Sequence, residues 1–429
     1  MKIKEFRNEL LGDSVFYAKH KSGLDIYVMP KSGYSTTYAI FATKYGSIDT
    51  HVKNEKGEFE SIPEGTAHFL EHKLFEGEEL DAFEQFAKTG ASANAYTSVD
   101  RTAYLFSCSE NFEESLGILL DFVQKPYFTQ QTVEKEQGII GQEIRMYQDL
   151  ADWEVMFNLL RALYKEHPVR IDIAGTQQSI AEIDADLLYK LYHNFYNLNN
   201  MVLCVCGNAD TEAVLKIADE KLEKANGSKI ERKFVPESPV PEKTYIEESL
   251  SIAEKQFLLG YKEDLKQPEV TIEDEIASEV MLETLFGKTS PVYNDLLRQE
   301  LIDMGFMTEF FSGFGYSVCM LGGTSRDPEE TARILRETVD RAVETGLDPE
   351  AFERAKRKLY GRMIMEYNSI EDVSNLLMNL HFAGYKPFAE IEACRALTLE
   401  RANKRLRKLK NEYSALSVIN PLNKEQKDV

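Results

Sequence analysis

His68, Glu71 and His72 fall within a single pentapeptide, His68-Phe69-Leu70-Glu71-His72. On a helix, positions i, i+3 and i+4 share a face, so both imidazoles can reach one ion with the carboxylate beside them. Two neutral imidazoles suit Zn²⁺, and an adjacent carboxylate suits a general base toward an attacking water. The order His-x-x-Glu-His inverts the commoner His-Glu-x-x-His and is the inverzincin signature. Five residues can also be an ordinary solvated helix face, so further donors are needed to support the reading.

A catalytic zinc takes three protein ligands and leaves one position open. The other five histidines, His20, His51, His167, His193 and His381, show no helical spacing to a second His. Carboxylates are better placed, in Glu134-Lys-Glu136-Gln-Gly-Ile-Ile-Gly-Gln-Glu143. Glu136 and Glu143 are two helical turns apart on one face, about 10.5 Å along the axis. Both cannot ligate one ion directly. One can be a ligand while the other orients a histidine, and the spacing leaves open which is which.

The elements that must carry these groups are readable around them. Leu24–Met29 and Thr36–Ala42 read as strands, followed by a helix over roughly Gly65 to Phe75. A second helix stops at Gly90, and Ala91–Thr97 and Thr102–Ser107 read as a strand pair turning at Asp100-Arg101. Asn111 and Thr129 are N-cap candidates for two further helices, the second long and reaching towards Tyr164. Met201–Cys206 reads as a buried strand. Asn226-Gly-Ser-Lys and then Pro236, Pro239 and Pro241 break the pattern as a linker. After it a similar mix of strands and helices restarts, with an aromatic strand-like stretch near Phe310–Leu321 and helices from Asp327 and Pro349. This predicts two similar α+β domains: residues 1–228 bearing the metal motif, a linker at 229–245, and a second domain at 246–429.

Composition narrows the function classes. The chain has 429 residues and a formal net charge of −22. That charge argues against nucleic acid and suits a cationic ligand such as a basic peptide. The basic run Arg401–Lys410 reads as one charged helix face. The five cysteines are odd in number and form no Cys-x-x-Cys, with Cys204 and Cys206 alternating along the apolar strand as core residues. No secretory h-region opens the sequence, and no apolar run is long enough to span a bilayer. A reducing cytoplasm is the default expectation.

Taken in order, Gly65-Thr-Ala-His-Phe-Leu-Glu-His72, Phe75, Asn94-Ala-Tyr-Thr97 and the Glu136/Glu143 pair resemble the pitrilysin/insulysin zinc metallopeptidases. The likeness is to the half-length branch that includes mitochondrial processing peptidase. It is strong over the N-terminal half and weaker beyond the linker. It implies two α+β domains, each an antiparallel-rich sheet packed with helices. It implies Zn²⁺ on His68, His72 and Glu143, with Glu71 as general base and Glu136 supporting from behind. Asn94 and Ala95 would lie on an exposed edge strand that pairs with the substrate backbone.

Members of this family also use an Arg and a Tyr from the facing half to hold substrate and stabilise the oxyanion. Here the nearest match is Leu297-Arg298, with Gly305 where the Tyr belongs and Phe306, which has no hydroxyl, one residue later. Half-length members assemble as dimers enclosing a chamber. The resemblance therefore implies a peptidase acting as a homodimer, or as the metal-bearing partner of a paralogous subunit. The competing expectation is a silent binding or assembly subunit with a structural zinc. A weaker one is a zinc hydrolase of non-peptide amides.

Overall fold

The two most apolar strand sequences lie at the centre of a seven-stranded sheet. In a computed structural model, which describes residues 2–53, 56–78, 80–224 and 230–422, every residue of Thr37–Thr43 and Met201–Gly207 is buried. Strands covered on both faces read as continuous apolar runs, as these do. The first unit's strands are β1 (Ile3–Asn8), β2 (Asp13–Lys19), β3 (Asp25–Pro30), β4 (Thr37–Thr43), a separate small hairpin β5 (His51–Lys53) and β6 (Phe59–Ser61), β7 (Ser92–Thr97), β8 (Thr102–Cys108) and β9 (Met201–Gly207). The sheet order is β1-β2-β3-β9-β4-β8-β7, which leaves β7 at an edge.

The second sheet comprises β10 (Tyr245–Leu250), β11 (Gln256–Lys262), β12 (Met307–Gly313), β13 (Tyr316–Thr324) and β14 (Ser414–Pro421), in the order β10-β14-β11-β13-β12. The duplication is visible in the pairing. In each sheet one parallel pair, β3 with β9 or β10 with β14, is followed by three antiparallel pairings that end at an edge strand. The aromatic stretch near Phe310–Leu321 is two strands, because Phe314-Gly315 turns the chain with Gly315 at φ +87°. The Asn226–Lys229 part of the expected linker lies outside the described residues.

Helices of the first half are α1 (Thr66–Leu74), α2 (Ala82–Thr89), α3 (Phe112–Gln124), α4 (Gln130–Gln148), α5 (Ala151–Leu163), α6 (Gln177–Ile180), α7 (Ala185–Phe195) and α8 (Thr211–Lys221). Those of the second are α9 (Ile272–Phe286), α10 (Pro291–Arg298), α11 (Pro328–Thr345), α12 (Pro349–Glu366), α13 (Ile370–Phe382), α14 (Ala389–Ala396) and α15 (Leu399–Leu406). By packing, one unit comprises Met1–Gln142, Asp172–Lys233 and Ile364–Ala389, and the other Glu143–Ile171, Phe234–Met363 and Glu390–Val429. Each unit thus draws on both halves of the sequence. Helix α13 packs on β4 and β9 of the first sheet, and α5 on β11 and β14 of the second.

In the second unit, His167 is buried with Nδ1 accepting from the Val169 amide at 3.1 Å and Nε2 facing the Phe314 carbonyl at 3.0 Å. Burial holds the ring neutral, lowering its pKa to about 4. An unfolded His titrates near 6.5, so between these values the unfolded chain binds the extra proton. Stability is therefore full above pH 6.5 and declines by roughly 3 kcal/mol as pH falls to 4. Urea midpoints measured across this range should fall accordingly, and a His167→Gln variant should lose most of that slope.

Candidate metal centre

Helix α1 is set by its first residue. Gly65 adopts φ +82°, and a Cβ there would lie 2.3 Å from the Ala174 carbonyl oxygen, so only glycine fits at this N-cap. Eight of the nine helix residues are buried, with Phe69 and Leu70 fully so. Each of those two apolar side chains contributes roughly 1.5–3 kcal/mol by leaving water. Lys73, also fully buried, forms an ion pair with Glu76. The helix is thus locked into the unit, and the rings of His68 and His72 stand 4.5 Å apart on one side of it.

Helix α4 supplies the opposing carboxylates. Its buried positions, Val133, Glu136, Ile140, Gly141 and Ile144, form a 3.6-residue stripe. Glu136 Oε1 lies 2.9 Å from His72 Nδ1, which leaves Nε2 as the nitrogen available to an ion. Glu143 lies two turns further along the same continuous helix. One ligand atom from each of His68, His72 and Glu143 lies within 4.8 Å of the others. Among the described residues, no other group of three or more His, Cys, Asp or Glu side chains converges in this way. Two imidazoles and one carboxylate make a donor set that fits a catalytic zinc.

Further residues make hydrogen bonds to and around this set. The Thr97 hydroxyl donates to Glu71 Oε2 at 2.6 Å, and Glu71 is buried. The Tyr147 hydroxyl donates to Glu143 Oε1 at 2.8 Å, and its ring stacks on Trp153. Tyr104 and Tyr196 share a hydrogen bond of 2.8 Å. Burial above all, with the Glu71 charge adding to it, holds both phenols well above their usual range. They remain protonated at any physiological pH. The sequence assigns no role to Tyr104, Tyr147 or Tyr196, and Thr97 enters it only as the last residue of the Asn94-Ala-Tyr-Thr97 motif. Tyr147 carries a local signal, being one helical turn beyond Glu143.

Asn94 and Ala95 lie on β7, which among the described residues pairs with β8 alone. Asn94 is exposed, and its side-chain oxygen accepts from the Ala95 amide at 2.9 Å. Arg298 is the last residue of α10 in the second unit. It is largely exposed and pairs with Asp295 of its own helix. Phe306 is buried against Tyr293.

A sequence profile described as Insulinase (Peptidase family M16) matches residues 59–177, and one described as Peptidase M16 inactive domain matches 182–359. The uncharacterized zinc protease YmfH of Bacillus subtilis (strain 168) is 41% identical over 404 residues, covering 93% of this chain and 94% of its own. The chain belongs to peptidase family M16. An M16-like peptidase from Alicyclobacillus acidocaldarius, known from its crystal structure, has a TM-score of 0.92 at 34% identity, covering 97% of this chain and 100% of that one. Mitochondrial-processing peptidase subunit beta of Caenorhabditis elegans is 30% identical over 185 residues, 41% of this chain and 40% of its own. The fold is that of the M16 family, with two similar mixed domains, and the relatives named as zinc proteases imply Zn²⁺ as the metal. No helix among the described residues is long and apolar enough to cross a membrane.

If Glu136 acts by orienting His72, a Glu136→Gln variant should keep the fold and bind zinc about 10- to 100-fold more weakly. Zinc affinity measured by competition with a chromophoric chelator checks this. Unchanged affinity would make Glu136 an ordinary buried acid.

Proposed function

We propose that this chain is a zinc endopeptidase that hydrolyses extended peptides in a closed chamber, as the metal-bearing subunit of a dimer. The convergence of His68, His72 and Glu143 beside the anchored Glu71 carries this reading. A zinc held there would polarise the scissile carbonyl and acidify a water. Glu71 takes the proton of the attacking water on its carboxylate and delivers it to the leaving amine nitrogen. The Thr97 hydroxyl fixes Oε2 of that carboxylate during both transfers. Glu136 bonds His72 Nδ1 and so would present Nε2 to an ion, and Tyr147, bonded to the Glu143 carboxylate, would do the same for that ligand.

The substrate is an extended chain that adds to the free edge of β7 beside Asn94 and Ala95. The net charge of −22 favours basic peptides by steering. Arg298 has no aromatic hydroxyl in the expected place after it, and Phe306 is buried. A paralogous subunit that carries the Arg/Tyr pair would complete the oxyanion stabilisation. Cleavage of basic and acidic peptide libraries, read by mass spectrometry, tests this for the zinc-loaded chain alone and with paralogous chains co-purified from the native cell. Chelator-sensitive cleavage, fastest with basic peptides and with the partner present, is the expected result. A zinc-loaded chain that cleaves nothing in any combination would instead be a silent assembly subunit.

A further inference from the structure

Arg232 lies far in sequence from every group at the metal centre, two residues before the first packing unit gives way at Phe234. Its side chain is almost fully enclosed and grips Asp49 with both arms of the guanidinium, Nε to Oδ1 at 2.8 Å and Nη2 to Oδ2 at 2.9 Å. Nη2 also donates to the Asp100 carbonyl at 2.7 Å. A bidentate pair of this kind is directional as well as strong. Asp49 belongs to a loop laid directly on the β7–β8 turn. Its Oδ2 accepts the Gly46 amide at 2.9 Å, while the Ser47 and Ile48 amides donate to the Ser98 and Val99 carbonyls at 3.2 and 2.9 Å. The approach is so close that a Cβ on Gly46 would sit 2.5 Å from the Asp100 nitrogen.

The turn gripped in this way is continuous with Thr97, the residue that holds Glu71. Thr97 is itself paired with Thr102 across the hairpin, and the Thr102 hydroxyl donates to the Tyr45 carbonyl at 2.9 Å, at the start of the same loop. We infer that Arg232 is a positioning residue for the general base: through Asp49 and the Asp100 carbonyl it fixes the β7–β8 turn, and through Thr97 it fixes the Glu71 carboxylate. The inference rests on the peptidase reading for the role of Glu71. The alternative is a clamp that stabilises the unit without affecting the base.

Thr97 is at the turn end of β7, while Asn94 and Ala95 are further along its ladder with β8. Loosening the turn should therefore affect proton transfer more than substrate binding. Arg232→Gln, Asp49→Asn and the double variant are compared with the unmodified protein, zinc-loaded and with the partner it requires. Expected are unchanged zinc stoichiometry, a kcat lower by roughly tenfold to a hundredfold as for a displaced catalytic group, and a KM within about twofold. The double variant should be no worse than the poorer single one, because the two residues form one unit. Hydrogen exchange of the amides at residues 97–101 should quicken in Arg232→Gln while α1 stays protected. Arg232→Lys, which keeps the charge but loses the fork, gives a milder form of the same effects should the Gln variant fold poorly.

A lower melting temperature with unchanged kcat overturns the inference, as do strictly additive losses. Unaltered exchange at residues 97–101 overturns it whether or not cleavage can be read. An unmodified protein that cleaves nothing, with quickened exchange in the variant, tells instead against the peptidase reading while leaving the brace in place.

Discussion

A Glu71→Gln variant should bind zinc as fully as the unmodified protein and cleave peptides about a thousandfold more slowly, within the roughly hundredfold to ten-thousandfold range for loss of a general acid–base group. Glu71 sits on a helix whose side chains are almost all enclosed, so a change of shape there would disturb packing. Glutamine has nearly the same shape, and its amide oxygen still accepts the Thr97 hydroxyl. Only the capacity to take up and release a proton is removed. Zinc stoichiometry and kcat measured on one sample separate the two effects. Retention of more than about a tenth of the rate would remove Glu71 from the chemistry, since even modest proton transfer contributes about a hundredfold.

Glu143→Ala should abolish metal binding at micromolar zinc and cleavage with it. It leaves two imidazoles on α1 where a catalytic zinc needs three protein ligands. The loss of affinity should exceed the tenfold to hundredfold expected at Glu136. The neighbouring Glu134 is a useful control, because it is exposed on the same helix and engages Gln130 rather than either histidine. Glu134→Ala should leave zinc content and activity unchanged. Equal zinc binding by the Glu143 and Glu134 variants would mean that the convergence of Glu143 on the histidine pair is not a ligand geometry.

The histidine pair is legible in the sequence because a helix makes i and i+4 neighbours whatever surrounds them. Glu136 and Glu143 are legible as a pair for the same reason, but their spacing does not say which one approaches the ion. That depends on how far α4 slides along α1, which the contact between Glu136 and His72 Nδ1 reports. Thr97 is not legible in this way. Its link to Glu71 depends on the register of β7 against β8 and on where the edge strand meets α1. The repetition of two similar α+β domains is legible from the alternation of strands and helices on either side of the linker, whereas the shared strand order is not, because it is set by long-range pairings such as β3 with β9 and β10 with β14. Helix α13 is the least legible element in function. Its sequence is amphipathic, yet nothing local says that it covers β4 and β9 rather than strands nearer to it in the chain.

The placement of α13 also matters on the ribosome. The first sheet has all its strands once β9 is made, but the helix that covers β4 and β9 is synthesised about 160 residues later, roughly ten to thirty seconds at ordinary elongation rates. During that interval the nascent chain presents an apolar face bordered by the Tyr96 and Lys44 groups that later bond Asn375 and the Phe382 carbonyl. A chain released before Ile370 would lack the helix that covers this surface.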